Sequence, residues 1–106
     1  MVTKRLAGPA LLTGSAATIY TVPAGKRALV RQIHLFNNDA GSIAVTVSVG
    51  ADAAGTRLLD GYVLATKTGY DLWLAPLALE AGETLQAFGG TTLKISSTVM
   101  GAEEAV

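Results

Sequence analysis

The side chains able to do chemistry in this chain are few, and none of them cluster. There is one histidine, His34, and no cysteine. A lone imidazole excludes metal sites built from several histidines, and the lack of thiolates excludes sulfur-ligated zinc. The carboxylates Asp39, Asp52, Asp60, Asp71, Glu80 and Glu83 fall mostly in or beside stretches with turn composition, where Asp caps its own backbone. Asp52-Ala53-Ala54-Gly55 offers one carboxylate where calcium needs several oxygen ligands. Serine and threonine are plentiful, yet no Gly-x-Ser-x-Gly elbow and no glycine-rich, lysine-ended phosphate loop occurs. No catalysis, metal or cofactor is expected, and His34 reads as a packed or surface side chain of a strand.

The aromatic residues are the better candidates for binding. In Tyr70-Asp71-Leu72-Trp73-Leu74, strand alternation puts Tyr70, Leu72 and Leu74 on one face and Asp71 with Trp73 on the other. Trp73 has three readings: it closes one end of the core, it anchors an interface, or it forms a platform for a sugar ring. Tyrosine and tryptophan are enriched among interface hot spots. Tyr62 and Tyr20 are the remaining aromatic candidates beside Tyr70.

The elements that would position these residues are strands. Ile43, Val45, Val47 and Val49 alternate with Ala44, Thr46 and Ser48, giving one β-branched face and one small polar face. Leu93, Ile95, Ser97 and Val99 alternate likewise with Thr92, Lys94, Ser96 and Thr98. Between Arg27 and Phe36 the apolar residues Leu29, Val30, Ile33, Leu35 and Phe36 fall on both faces, which predicts a central or doubly covered strand. Further strands are expected over 18–22, 57–64 with a break at Asp60-Gly61, 70–74, 77–80 and 84–88. Two matched turns punctuate them, Val22-Pro23-Ala24-Gly25-Lys26 and Leu79-Glu80-Ala81-Gly82-Glu83-Thr84-Leu85; glycine supplies the positive φ a reversal needs. Asn37-Asn38-Asp39-Ala40-Gly41, Ala51-Asp52-Ala53-Ala54-Gly55 and Gly89-Gly90 suit hairpin loops. Strand signals about every ten residues, with no capped helical period, predict an all-β fold. Seven or eight antiparallel strands form a two-sheet β-sandwich, jelly-roll-like in preference to immunoglobulin-like.

At 106 residues the chain makes one domain, and eight basic side chains cancel eight acidic ones. No global field draws in nucleic acid or an anionic membrane, and no apolar run is long enough to span one. Half of the residues are apolar and 15% are charged, well below the roughly one quarter of an ordinary soluble domain. Such a surface predicts burial against other chains. Residues 1–16, broken by Gly8, Pro9, Gly14 and Ser15, read as an N-terminal arm, either adding a strand to a neighbour's sheet edge or fraying as a loose terminus. Residues 17–101 form the sandwich and 102–106 a short, solvated acidic tail. The run after Lys4 and Arg5 is too short and too interrupted for a signal-peptide core, so synthesis in the cytosol is expected.

The order Thr18-Ile19-Tyr20-Thr21-Val22-Pro23-Ala24-Gly25-Lys26, then Leu35-Phe36-Asn37-Asn38, then Ile43-Ala44-Val45-Thr46-Val47, then Leu79-Glu80-Ala81-Gly82-Glu83-Thr84-Leu85, resembles small β-sandwich virion proteins of tailed bacteriophages. The likeness runs from about residue 17 to 100. It implies a non-enzymatic structural role, localisation in the virion, and a symmetric oligomer, often a trimer. The function expected from it is a capsid decoration or cement protein on the outside of an assembled head, with itself and a major capsid protein as partners. The alternatives are a tail, baseplate or fibre component of the same virion, or a carbohydrate-binding sandwich. Leu11, Leu12, Tyr62 and Trp73 are the expected contact residues.

Overall fold

The alternating runs fold into strands, and an eighth precedes them. In a computed structural model that describes residues 3–106, the strands are β1 (Lys4–Leu11), β2 (Ala17–Thr21), β3 (Lys26–Asn37), β4 (Ile43–Val49), β5 (Arg57–Leu64), β6 (Gly69–Leu79), β7 (Thr84–Gly89) and β8 (Ile95–Ala105). β1 pairs with β8, β2 with β7, β3 with β6 and β4 with β5, all antiparallel. The chain is thus one long antiparallel ribbon. Coiling that ribbon adds the pairs β3 with β8 and β4 with β7, which gives sheet I, ordered β1-β8-β3-β6, and sheet II, ordered β2-β7-β4-β5. This is the jelly-roll winding, and the protein is an all-β, two-sheet sandwich.

The core lies between the sheets. Val30, Ile33, Leu35, Ile95 and Val99 from sheet I face Val45, Val47, Leu85 and Ala87 from sheet II, with Leu12, Val22 and Leu64 closing the ends. The two matched turns are neighbours in space: Val22 N–H donates to the Glu83 carbonyl at 3.0 Å and Gly82 N–H to the Val22 carbonyl at 3.0 Å. Gly25 and Gly82 both take positive φ, 74° and 85°, so each glycine makes the reversal that its position demands. Asn37 is fully buried at the end of β3. Its Nδ2 donates to the carbonyls of Gly41, Leu64 and Ala65, and its Oδ1 accepts from the Asp39 N–H, which ties β3 to the loops on either side of it.

Several expectations change. Residues 4–11 of the expected arm are the edge strand β1 of the molecule's own sheet, paired from Lys4↔Gly101 to Leu11↔Ser96. The expected tail is the end of β8: Ala102 is buried, Glu103 is hydrogen-bonded to Tyr20, and the Val106 N–H donates to the Gly25 carbonyl. The apolar residues of β3 fall on both faces for a local reason, although the strand is central. Arg31 is a bulge between Val30 and Gln32, so Ala28 and Val30 point inward before it and Ile33, Leu35 and Asn37 after it. The stretches 70–74 and 77–80 are parts of one strand, β6, interrupted opposite that bulge. β5 is continuous through Asp60-Gly61, where Gly61 takes φ 61° and the register shifts. The polar face of β4 is only partly open to water: Ala44 is exposed, but Thr46 and Ser48 are buried beneath the β5 backbone and the loop carrying Asp52. Leu93 precedes β8 at φ 59° and is exposed.

Candidate functional site

The outer faces of the two sheets differ. That of sheet II is roofed at one end by the β4–β5 loop: Asp52 accepts from the Ser48 hydroxyl and from Nε and Nη2 of Arg57, and its own N–H donates to Oε1 of Gln86 at 3.3 Å. The Arg57 guanidinium, then Ser48, holds the Asp52 carboxyl below the usual carboxylate range, and Arg57 also reaches Asp60 at 2.8 Å. The one carboxylate considered for calcium is therefore occupied by an internal cation. Among the described residues no three His, Asp or Glu side chains gather as metal ligands.

The outer face of sheet I has no such roof, and register assigns its residues to rows. Leu11 of β1, Ser96 of β8, Phe36 of β3 and Gly69 of β6 form one row. Thr98, His34 and Asp71 form the next, and Arg5, Met100, Gln32 and Trp73 the third. The bulge creates this arrangement. Leu77 and Leu79 of β6 pack towards the core, and unbroken alternation from them would turn Trp73 inward as well. Instead Leu74, Ala75 and Pro76 stand opposite the single residue Arg31, which reverses the phase: Leu72 packs on the core and Trp73 stands on the outer face at 70% exposure. The sequence reading of Tyr70, Leu72 and Leu74 opposite Asp71 and Trp73 matches this geometry.

Beside Trp73 lies a hydrogen-bonded trio. Gln32 Nε2 donates to Asp71 Oδ1 at 2.7 Å, and His34 Nδ1 lies 2.6 Å from the same oxygen. The His34 hydrogen bond first, and that of Gln32 second, hold the Asp71 carboxyl below its ordinary value against the opposing cost of desolvation. With Asp71 ionised, Nδ1–H is the donor and Nε2 is turned away from the carboxylate. Gly69 gives this cluster room, since a Cβ there would meet His34 Cε1 at 3.2 Å. No cavity accompanies the cluster among the described residues; the surface is a platform.

The four expected contact residues separate. Leu11 is 53% exposed at the β1 edge, Tyr62 is 41% exposed on β5, and Trp73 is on the open face. Leu12 is 2% exposed, its N–H donates to the Ile95 carbonyl at 2.7 Å, and it belongs to the core. The correction follows from the strand: adjacent residues point to opposite faces, and only one of Leu11 and Leu12 can face out. Tyr62 stacks on Tyr70 of β6 with ring centroids 4.4 Å apart, closing the sandwich on the flank opposite β1 and β2. The trio and the aromatic pair were not singled out as contacts from sequence, because the trio depends on the pairing of β3 with β6 and the aromatic pair on β5 and β6 meeting at one flank of the two sheets.

No family model matches this sequence, and comparison with curated proteins finds no match. Among solved structures, the fold is similar to a chain of the Bacillus endospore appendages, described as a novel family of disulfide-linked pili. The TM-score is 0.56 at 14% identity, covering 99% of this chain and 88% of that one. At that identity the likeness concerns the fold.

Proposed function

We propose that this chain is a non-enzymatic structural subunit that works by contact area: a decoration protein of a tailed bacteriophage, seated as a homotrimer on the major capsid protein outside an assembled head. The observation that carries the reading is the placement of apolar residues left outside the core. Leu11 stands on one flank of the sandwich and Tyr62, followed by the 63% exposed Val63, stands on the other. Cyclic assemblies above the dimer need heterologous contacts, in which two different patches meet. Opposite flanks provide such a pair, and the resemblance to virion sandwich proteins gives the ring its number of copies, three.

Edge-to-edge strand addition is not the means. β1 carries Gly8-Pro9 and two register shifts, β2 is five residues long with one shift, β5 holds the Asp60-Gly61 bulge, and β6 is interrupted at Leu74–Pro76. Bulges, prolines and short strands of this kind blunt sheet edges against pairing. Side chains must therefore make the contacts. The bacteriophage part of the reading rests on the residues resembling virion sandwich proteins. The pilus subunit of similar fold supports the coarser part, that such a sandwich serves as an assembly unit. Those pili are disulfide-linked, whereas this chain has no cysteine and must hold its neighbours by packing. The test is cosedimentation with heads assembled without the protein: binding that raises the heat resistance of the heads is expected, and failure to bind would remove the decoration role.

A further inference from the structure

We infer that the platform of Trp73, Gln32, Asp71 and His34 on sheet I is a saccharide-binding site, separate from the flank contacts that join copies. A sugar ring is amphipathic, with an apolar C–H face and hydroxyls around its rim. A flat site for it needs one exposed aromatic plane and, beside it, polar groups already held in place. Trp73 is the plane: 70% exposed, on a sheet face with no roof, and placed there by a bulge that reverses the alternation of β6. Gln32 lies directly opposite it in the register, and Asp71 opposite His34 in the adjoining row.

The trio is ordered by its own hydrogen bonds and yet not exhausted by them. Gln32 Nε2 and His34 Nδ1 both converge on Asp71 Oδ1. Gln32 Oε1, Asp71 Oδ2 and His34 Nε2 make no hydrogen bond within the protein among the described residues, and they leave acceptors for hydroxyl groups. Because the three side chains fix each other, little rotamer entropy is lost on binding.

Two observations favour a sugar over other occupants. A dry protein interface over Trp73 would strip water from an ionised Asp71 without supplying donors, a cost that hydroxyl donors avoid. A cationic side chain, which tryptophan and a carboxylate would otherwise attract, is opposed by Arg5 and Arg31. Both are exposed on or beside this face and have no carboxylate partner among the described residues. The same cations leave room for an acidic sugar as well as a neutral one.

Trp73 is the chain's only tryptophan, so its emission reports this site alone. The protein is titrated with cellohexaose, maltohexaose, chitohexaose and hexagalacturonate up to millimolar concentration. At least one gives a saturable change in emission and shifts the amide resonances of Gln32, His34 and Asp71. Trp73→Ala weakens that binding by about tenfold or more, Trp73→Tyr retains most of it, and Asp71→Asn weakens it with the fold intact by circular dichroism. No saturable response to any of the four, or binding that survives Trp73→Ala, overturns the site. So does a fall in oligomer mass caused by Trp73→Ala without sugar, which would make this face an interface between copies. Loss of the oligomer in Leu11→Ala with sugar binding unchanged is the result expected of separate sites, whereas an oligomer that persists in that variant overturns the flank contacts and leaves the sugar site standing, so the two readings fail separately.

Discussion

At the residue scale, stability concentrates where polar side chains are buried with partners. The Tyr20 hydroxyl donates to Glu103 Oε2 at 2.6 Å, and Lys4 Nζ lies 3.1 Å from Glu103 Oε1. Burial first, then the bond to Glu103, raises the Tyr20 phenol above its ordinary value, while the Tyr20 hydrogen bond, followed by Lys4, lowers Glu103. The signs are opposite. The Glu103 contribution is complete above the ordinary glutamate value of 4.5 and is lost as pH falls through its lowered value. The Tyr20 contribution is complete below 10.0 and is lost as pH rises beyond it towards the raised value. Thermal unfolding followed by circular dichroism is expected to show a stability plateau between these limits, with Asp52 and Asp71 adding to the acid-side loss below 3.8. Tyr20→Phe should lower stability by about 1.5 kcal/mol at neutral pH and remove the alkaline loss. Asn37→Ala, which leaves buried carbonyls without their donor, should cost about 3 kcal/mol in denaturant unfolding. That Trp73 shares a face with Asp71, opposite the leucines, was legible from the alternation of 70–74; that this face is the outer one was not. The partners of Asp71 and Glu103 were not, because they lie 37 and 83 residues away in the chain.

At the element scale, the bulge at Arg31 accounts for the apolar pattern of β3 and for the outward turn of Trp73. Alternation counted over short windows gave the inward face of β4 and the two faces of the first half of β6 correctly. Counted through Arg31 it gave a central or doubly covered strand; β3 is central, and its apolar residues fall on both faces because a bulge that reverses phase leaves the same pattern as a doubly buried strand. β1 was missed for a related reason: Gly8 and Pro9 are turn signals in a sequence, yet here they sit in the irregular part of an edge strand. Its partner β8 has a strict requirement of its own. Gly101 faces inward beside Val30, and a Cβ there would collide with the Leu29 backbone carbonyl. Gly101→Ala should therefore destabilise the fold by several kcal/mol, on the order of the 2–5 kcal/mol of a large core truncation, whereas Gly55→Ala, which meets no neighbouring atom, should stay within about 0.5 kcal/mol. Chemical denaturation of the two variants makes the comparison.

For the whole molecule, the accessible surface of 5306 Å² is close to the roughly 5500 Å² expected of a compact chain of 10.8 kDa, as suits a fold in which arm and tail are strands. Two flank patches of standard size, about 800 Å² each, would cover about 30% of that surface and place the exposed Leu11, Tyr62 and Val63 out of water. The low charge was legible from composition and the two-sheet architecture from strand spacing. Which flank carries which apolar residue required the winding of the ribbon. Light scattering after size exclusion across a dilution series reads directly whether these flanks join copies head to tail. Three times the 10.8 kDa chain mass is expected for the native protein, with a shift to the single-chain mass in Leu11→Ala/Tyr62→Ala and the fold retained. A native protein at 10.8 kDa at every concentration, or a double variant that keeps the native mass, would contradict head-to-tail joining.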